Sequence, residues 1–424
     1  MEYKDINTEK NDRPVMLFTL SLMAVLLHQS SVIFGVNMSL ADLFCFAFLF
    51  IIAGKKNLVV PVKGAVFFFI VSIVVFISAY YIVPLEFSYY PRPVRVAGDY
   101  MKLAAVFLYF LAGYNLAKEQ DLEWVFKWYA FFAAFIGGIG LFLTVVKIDP
   151  LISVFYFAEI RFKGLMNDPN YFALLQITAF VYFSRSAAIP SPVKGIAFFL
   201  IIFSVLISGS KTGFITIAVY FIFRFMEYVF LLRKKAGEVI AFLLILFFFT
   251  LLSPYLINNF SERVDSLAHS IPALSRIGQL VTDADGAISG NGSARGDTWK
   301  TAVNLIQSSP LFGVGIGTYS SVAYRVNGVS DIAHNTFLQL AAEWGIPLAA
   351  VLFSYMFYTV GRAAAQPFAE GRLIHVMKDM LIVFLIGSMA VSLNNARMLW
   401  FIFGALLSVF SRMDMEKKGG LAET

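Results

Sequence analysis

The run Pro61-Val62-Lys63-Gly64-Ala65-Val66-Phe67-Phe68-Phe69-Ile70-Val71-Ser72-Ile73-Val74-Val75-Phe76-Ile77-Ser78-Ala79-Tyr80-Tyr81-Ile82-Val83 decides the fold class. From Gly64 to Val83 it carries no charge. A helix rising about 1.5 Å per residue needs about 20 such residues to cross a hydrocarbon core of about 30 Å. A barrel strand would be shorter and would alternate apolar with polar side chains.

Similar runs recur along almost the whole chain. Hydropathy gives about twelve spans, at 15–36, 38–53, 61–83, 99–116, 125–147, 170–187, 193–208, 212–232, 236–258, 334–361, 373–391 and 395–412. The second is short, and the seventh and eighth are joined by a very tight turn. Composition agrees: 59% of residues are hydrophobic and 46 of 424 are Phe, with a mean hydropathy of +0.75. A soluble domain is excluded. The expected fold is all-α, a polytopic membrane bundle. The lone Cys45 lies in an apolar run, which excludes an internal disulfide and a cysteine metal cluster. No cleavable signal peptide is expected, because the first apolar run follows Arg13 and leads directly into further spans.

Lys and Arg set the orientation. Lys4, Lys10 and Arg13 precede the first span. Lys55, Lys56 and Lys63, then Lys118 and Lys127, Arg185 and Lys194, Arg224 with Arg233, Lys234 and Lys235, and Arg362 with Arg372 and Lys378 mark alternate connections. Arg412, Lys417 and Lys418 close the chain. These clusters belong on the cytoplasmic side, which puts both termini there and explains much of the net charge of +6 without nucleic acid. The other side carries Arg92, Arg95, Arg161, Lys163, Lys211, Arg295, Lys300, Arg325 and Arg397 against that bias. An anionic ligand is the simplest reason to keep them there.

Three regions follow: a membrane bundle over 1–258, a large outer loop over 259–333, and C-terminal spans with a tail over 334–424. Within the loop, Thr282 to Gly296 reads as flexible chain. From Asp297 an amphipathic helix is expected, with Trp299, Val303 and Ile306 on its apolar face, ending before Pro310.

Several motifs gather on the outer side. In order they are Arg161-Phe162-Lys163-Gly164, Asn167-Asp168-Pro169-Asn170, Ser208-Gly209-Ser210-Lys211-Thr212-Gly213, Arg295-Gly296-Asp297-Thr298-Trp299, Pro310-Leu311-Phe312-Gly313-Val314-Gly315, and His334-Asn335 with Glu343 and Gly345. Transfer of a sugar from a lipid pyrophosphate builds negative charge on the leaving oxygens. It needs cations aimed at that charge and a base near the acceptor hydroxyl. Lys211, Arg295 and His334 are the candidate catalytic residues. Arg161, Lys163, Asn170, Ser210 and Arg397 are candidates for holding pyrophosphate or glycan. Each has a plainer reading: Lys211 as a snorkelling helix-end lysine, Arg295 as a solvated loop charge, His334 as an inert helix-start residue. Asp168 reads as a turn former, and Glu343 as a buried hydrogen-bonding residue about 13 Å deeper than His334 on one continuous helix.

The ordered motif set resembles the O-antigen ligase and O-antigen/exopolysaccharide polymerase superfamily, best from about Arg161 onwards. The resemblance implies a glycosyltransferase of the bacterial inner membrane with its active site facing the periplasm. It further implies a glycan on undecaprenyl pyrophosphate as donor, and no metal or cofactor. The acceptor is either another lipid-linked glycan, as in a polymerase, or lipid A–core, as in a ligase. The polymerase is the preferred expectation, with the bilayer and other polysaccharide-assembly proteins as partners. The family usually has Arg where Lys211 stands, so the charge is kept but the bidentate fork is lost. A transporter or flippase of lipid-linked oligosaccharide is the rival from another class. Clustering of the polar motifs at span ends, rather than at mid-membrane, favours chemistry over transport.

Overall fold

The computed structural model describes residues 13–33, 36–116, 118–231, 295–367 and 371–420, with Gly237, Ala273, Ser275, Arg276 and Gly278 as isolated further positions. The expected span 236–258 and nearly all of 259–294 lie outside the described residues.

The described chain is predominantly helical. Its helices are α1 (Arg13–Leu26), α2 (Ala41–Gly54), α3 (Val62–Ile77), α4 (Val83–Phe87), α5 (Pro93–Asn115), α6 (Glu119–Val145), α7 (Asp149–Phe155), α8 (Pro169–Arg185), α9 (Ser191–Ile207) and α10 (Lys211–Leu231). After the undescribed stretch come α11 (Arg295–Ser308), α12 (Tyr319–Asn327), α13 (Thr336–Trp344), α14 (Ile346–Ala364), α15 (Arg372–Gly387) and α16 (Arg397–Gly420). Two small antiparallel ribbons accompany them, β1 (Ser31–Ile33) with β2 (Val36–Met38), and β3 (Tyr156–Phe157) with β4 (Arg161–Phe162). Among the described residues, six helices are long and apolar enough to cross a membrane: Val62–Phe87, Pro93–Asn115, Glu119–Val145, Lys211–Val229, Ile346–Ala364 and Arg397–Glu416. The first is α3 and α4 run together through a π-helical turn at Ser78–Ile82. The chain is a multi-pass membrane protein. At 14 residues, α2 reaches about 21 Å, short of a full crossing.

The centre of the bundle is α8, packed against α6, α9, α10 and α15. Nearly every side chain from Phe172 to Phe183 is buried, including Gln176 and Thr178. Its start is fixed locally. The Asp168 carboxylate accepts the Asn170 and Tyr171 amides at 2.8 Å, and Pro169 occupies the first turn, where its missing N–H costs nothing. Seventeen residues put Asn170 and Arg185 at opposite ends of the bundle, about 23 Å apart.

The expected span 334–361 is corrected to two helices, α13 and α14, broken at Gly345. Gly345 has φ +81 and ψ 159, a backbone region open essentially to glycine, and an added Cβ would lie 2.1 Å from the Leu311 carbonyl oxygen. The Pro310–Gly317 loop closes the break. Val314 N–H bonds to the Ala342 carbonyl at 2.7 Å, Gly315 N–H to that of Glu343 at 2.9 Å, and Ile346 N–H to that of Pro310 at 2.8 Å. The loop is tied in turn to the π turn, where the Ser78 hydroxyl donates to the Phe312 carbonyl at 2.7 Å. Glu343 therefore ends a short helix and does not lie deep in a span.

Helix α11 begins at Arg295 and stops at Ser308, before Pro310. Its buried face is Thr298, Thr301, Ala302 and Leu305. Of the expected face of Trp299, Val303 and Ile306, Trp299 and Ile306 are half-buried, Ile306 against the neighbouring apolar cluster, while Val303 is 39% exposed and is corrected. The helix packs on α12 and α13, and small side chains allow that approach better than large apolar ones.

Candidate active site

The start of α8, the α9–α10 turn, β4 and the start of α11 meet at one end of the bundle. Gly209 in the turn has φ +56, and an added Cβ would come within 2.9 Å of the Ala273 carbonyl. That close approach brings the Ala273–Gly278 neighbourhood onto the turn. Gly213 does the same between α10 and α8, since an added Cβ would meet Ala173 Cβ at 2.6 Å.

Arg161, Asn170 and Ser210 are in direct contact. Arg161 donates through Nη2 to Asn170 Oδ1 and through Nε to the Ser208 carbonyl, both at 3.0 Å. The Ser210 hydroxyl donates to the same Asn170 Oδ1 at 3.0 Å and accepts the Gly213 amide at 2.9 Å. Arg295 joins through Thr212, donating from Nη2 to its hydroxyl at 3.0 Å. Lys211 stands between Ser210 and Thr212 as the first residue of α10, partly exposed.

A third guanidinium, Arg276, lies close to these groups. It sits in a segment otherwise read as loop, alone among apolar and small residues, and belongs to no motif. Its Nε is buried and has no hydrogen-bond partner. Burial first, then repulsion from Arg276, pulls Arg161 down to about 10, against the opposing pull of Asp168 and with a further push from Arg295. Arg295 is lowered too, by burial, with Asp168 opposing and Arg276 adding. Arg161 and Arg295 thus share the field of Asp168, whose carboxylate is already spent on capping α8, and Arg276 pushes on both.

His334 reaches this end from the other side of α11. Its φ is +49, unusual for a side chain with a Cβ. Its neighbours hold it there: Gln339 Oε1 accepts the Ala333 amide at 2.8 Å, and the Ala333 carbonyl accepts a long bond of 3.4 Å from Thr298, one turn along from Arg295. Asn335 caps α13 through the Leu338 amide at 3.1 Å, and the Thr336 amide bonds to the Ser388 carbonyl at 2.7 Å. The imidazole Nε2 lies 3.3 Å from Asp331 Oδ2.

Two of the expected ligand-holding residues have other ties. Arg397 is bound through Nε and Nη2 to the two carboxylate oxygens of Asp42, the latter contact at 2.7 Å. Lys163 lies past the β3–β4 ribbon, tied by its amide to the Phe155 carbonyl at 2.8 Å. Among the described residues, no group of three or more His, Cys, Asp or Glu is placed to hold a metal ion.

The described chain is a multi-pass helical membrane protein with a cluster of partly buried arginines and a positive-φ histidine near one end of its bundle. Residues 196–353 match the family model described as O-antigen ligase. The match runs from α9 into α14 and takes in the Ser208–Gly213 turn, Arg295, the Pro310–Gly317 loop and His334. Over that stretch it bears out the resemblance to the O-antigen ligase and polymerase superfamily, whose members are glycosyltransferase-like membrane enzymes. A comparison with the curated proteins gives no match.

Proposed function

We propose that this protein is a membrane glycosyltransferase. It moves a glycan from a polyprenyl pyrophosphate, undecaprenyl in bacteria, to a hydroxyl of an acceptor sugar on the periplasmic face. The observation that carries this reading is the gathering of three guanidiniums in which Arg161 and Arg295 bond to neutral acceptors, feel Asp168, and are both repelled by Arg276. A bound pyrophosphate would supply the missing negative charge.

In the step itself the acceptor oxygen forms a bond to the anomeric carbon. The bond from that carbon to the phosphate oxygen breaks, and its electron pair leaves on the pyrophosphate. Arg161, Arg276, Arg295 and Lys211 meet that charge as it grows. His334 takes the hydroxyl proton. With Nε2–H directed at Asp331, Nδ1 is the basic nitrogen. This assignment requires no metal and no cofactor.

The polymerase reading takes a lipid-linked glycan as acceptor. The description of the matched family favours a second reading, lipid A–core as acceptor. Proteoliposomes supplied with polyprenyl-pyrophosphate repeat units and either acceptor decide between them. Longer lipid-linked chains mean polymerase; product on lipid A–core means ligase. Arg295→Ala and Lys211→Ala should lose about a hundredfold or more in rate, and Lys211→Arg should stay active. Unchanged rates in both alanine variants would remove the reading.

A further inference from the structure

A partly open cavity of about 290 Å³, lined by polar and apolar groups in similar measure, lies between α5, α13 and the start of α16. Its walls include Asp99, Tyr171, Tyr319, Glu343, Ser392 and Asn394. We propose that this cavity is a saccharide subsite that holds one sugar ring of a transfer substrate, most directly the acceptor's terminal sugar. The proposal rests on the glycosyltransferase reading for the origin of the sugar, but not for the existence of the site.

Two hydroxyls in the lining, Tyr319 Oη and Ser392 Oγ, are buried and have no hydrogen-bond partner. Tyr319 is 4% exposed. Buried polar groups in folded proteins nearly always find partners, so two orphans on one cavity point to a ligand that brings its own donors and acceptors.

Two of the three cations in the lining are neutralised in place: Lys102 is held by Asp99 at 2.7 Å and Arg397 is taken by Asp42, which leaves Arg95 beside the mouth. With it the walls offer carboxylate, carboxamide and hydroxyl groups, a mixture of donors and acceptors that suits a ring of hydroxyls. Aromatic rings at Tyr171, Tyr319 and Trp344 can meet the apolar C–H face of a pyranose. The volume is near the lower end of the usual range for small-ligand sites, about 300–1,000 Å³, enough for a ring and too small for a chain.

The cavity also backs onto the transfer centre. Tyr171 follows Asn170, the partner of Arg161, and its amide is one of the two that Asp168 holds. Gln339, in the same lining, accepts the amide that precedes His334. A sugar seated here is one residue away from both halves of the centre.

The double variant Tyr319→Phe/Ser392→Ala removes only the two orphan hydroxyls. In an empty protein this should leave thermal stability unchanged or slightly raised. With substrate, KM for the acceptor should rise by about tenfold or more, from two lost hydrogen bonds, at unchanged kcat. A rise in KM for the donor instead would keep the sugar site and assign it to the donor glycan. Unchanged KM for both, in a preparation whose wild type transfers, would overturn the proposal. If the wild type transfers nothing, the glycosyltransferase reading fails, and the cavity is tested alone. Oligosaccharide repeat units, released by mild acid from the cells' own polysaccharide, are titrated against tryptophan fluorescence. Saturable quenching weakened in the double variant supports the site; no quenching in the wild type overturns it.

Discussion

Replacing Arg276 with Gln should separate activity from stability. The Arg276 charge lies close enough to Arg161 and Arg295 to lower both. For Arg161, held at about 10, the drop from an ordinary guanidinium corresponds to about 3 kcal/mol at about 1.36 kcal/mol per pKa unit. Burial is the largest cause and Arg276 the second, so about 1 kcal/mol is a fair share to assign to the repulsion once solvent screening is allowed for. A cation whose folded pKa is depressed costs the fold most below that value, so the cost is fully present at neutral pH and fades only above about 10. Removing Arg276 should therefore leave the melting temperature unchanged or raised. Transfer should fall by about 10²–10³, the usual effect of deleting one donor to a developing oxyanion. The assay is thermal unfolding of the purified protein in nanodiscs beside the rate with lipid-linked donor. Melting temperature and rate falling together would make Arg276 a structural residue, and a wild-type rate would remove it from the site.

Three further outcomes follow from particular geometries. His334→Gly should relieve the positive φ and gain about 1 kcal/mol in stability while abolishing transfer, whereas His334→Ala keeps the strain and loses only the transfer; equal melting temperatures for the two would refute the strain. Gly345→Ala places a Cβ against the Leu311 carbonyl and should cost about 2–4 kcal/mol, seen as a lower melting temperature and weaker expression. Glu343 is pushed by burial up to about 8, so its ionisation opposes folding: stability should decline as pH rises from the ordinary carboxyl value of 4.5 through about 8 and then level off. Glu343→Gln should flatten that decline, and an unaltered pH profile in the variant would assign the decline to another group.

The sequence made some of this legible and hid the rest for physical reasons. Hydropathy located the apolar helices because lipid demands long uncharged runs. The tight turn at Ser208–Ser210 and the stop before Pro310 were local signals and emerged as read. The break at Gly345 was signalled by glycine followed by Pro347, but the apolar run on either side masked it, since hydropathy is blind to φ. Val303 was misplaced on the buried face of α11 because a helix packed against protein by small residues carries little apolar periodicity. Arg276 carried no motif, and only its charge close to Arg161 and Arg295 reveals it. The Asp42–Arg397 pair joins residues 355 apart in sequence, a contact that no spacing rule can reach.

The two ends of α8 differ in how their arginines are partnered. At the Arg185 end, cations meet anions directly. Arg185 bonds to Asp379 at 2.8 Å and Glu227 at 2.6 Å, and Lys378 bonds to Glu227 at 2.7 Å. Removing either carboxylate there would strand a buried charge, at a cost of several kcal/mol. At the Asn170 end, the guanidiniums bond to neutral groups: the Ser208 carbonyl, the Asn170 amide oxygen and the Thr212 hydroxyl. Neutral acceptors orient a guanidinium without cancelling its charge, and they leave the remaining N–H groups of each fork to other partners. A network that balanced its own charge would be more stable and would have nothing left for a pyrophosphate. On the proposed function, the excess positive charge beside Asp168 among the described residues is stability given up in exchange for a preorganised anion site.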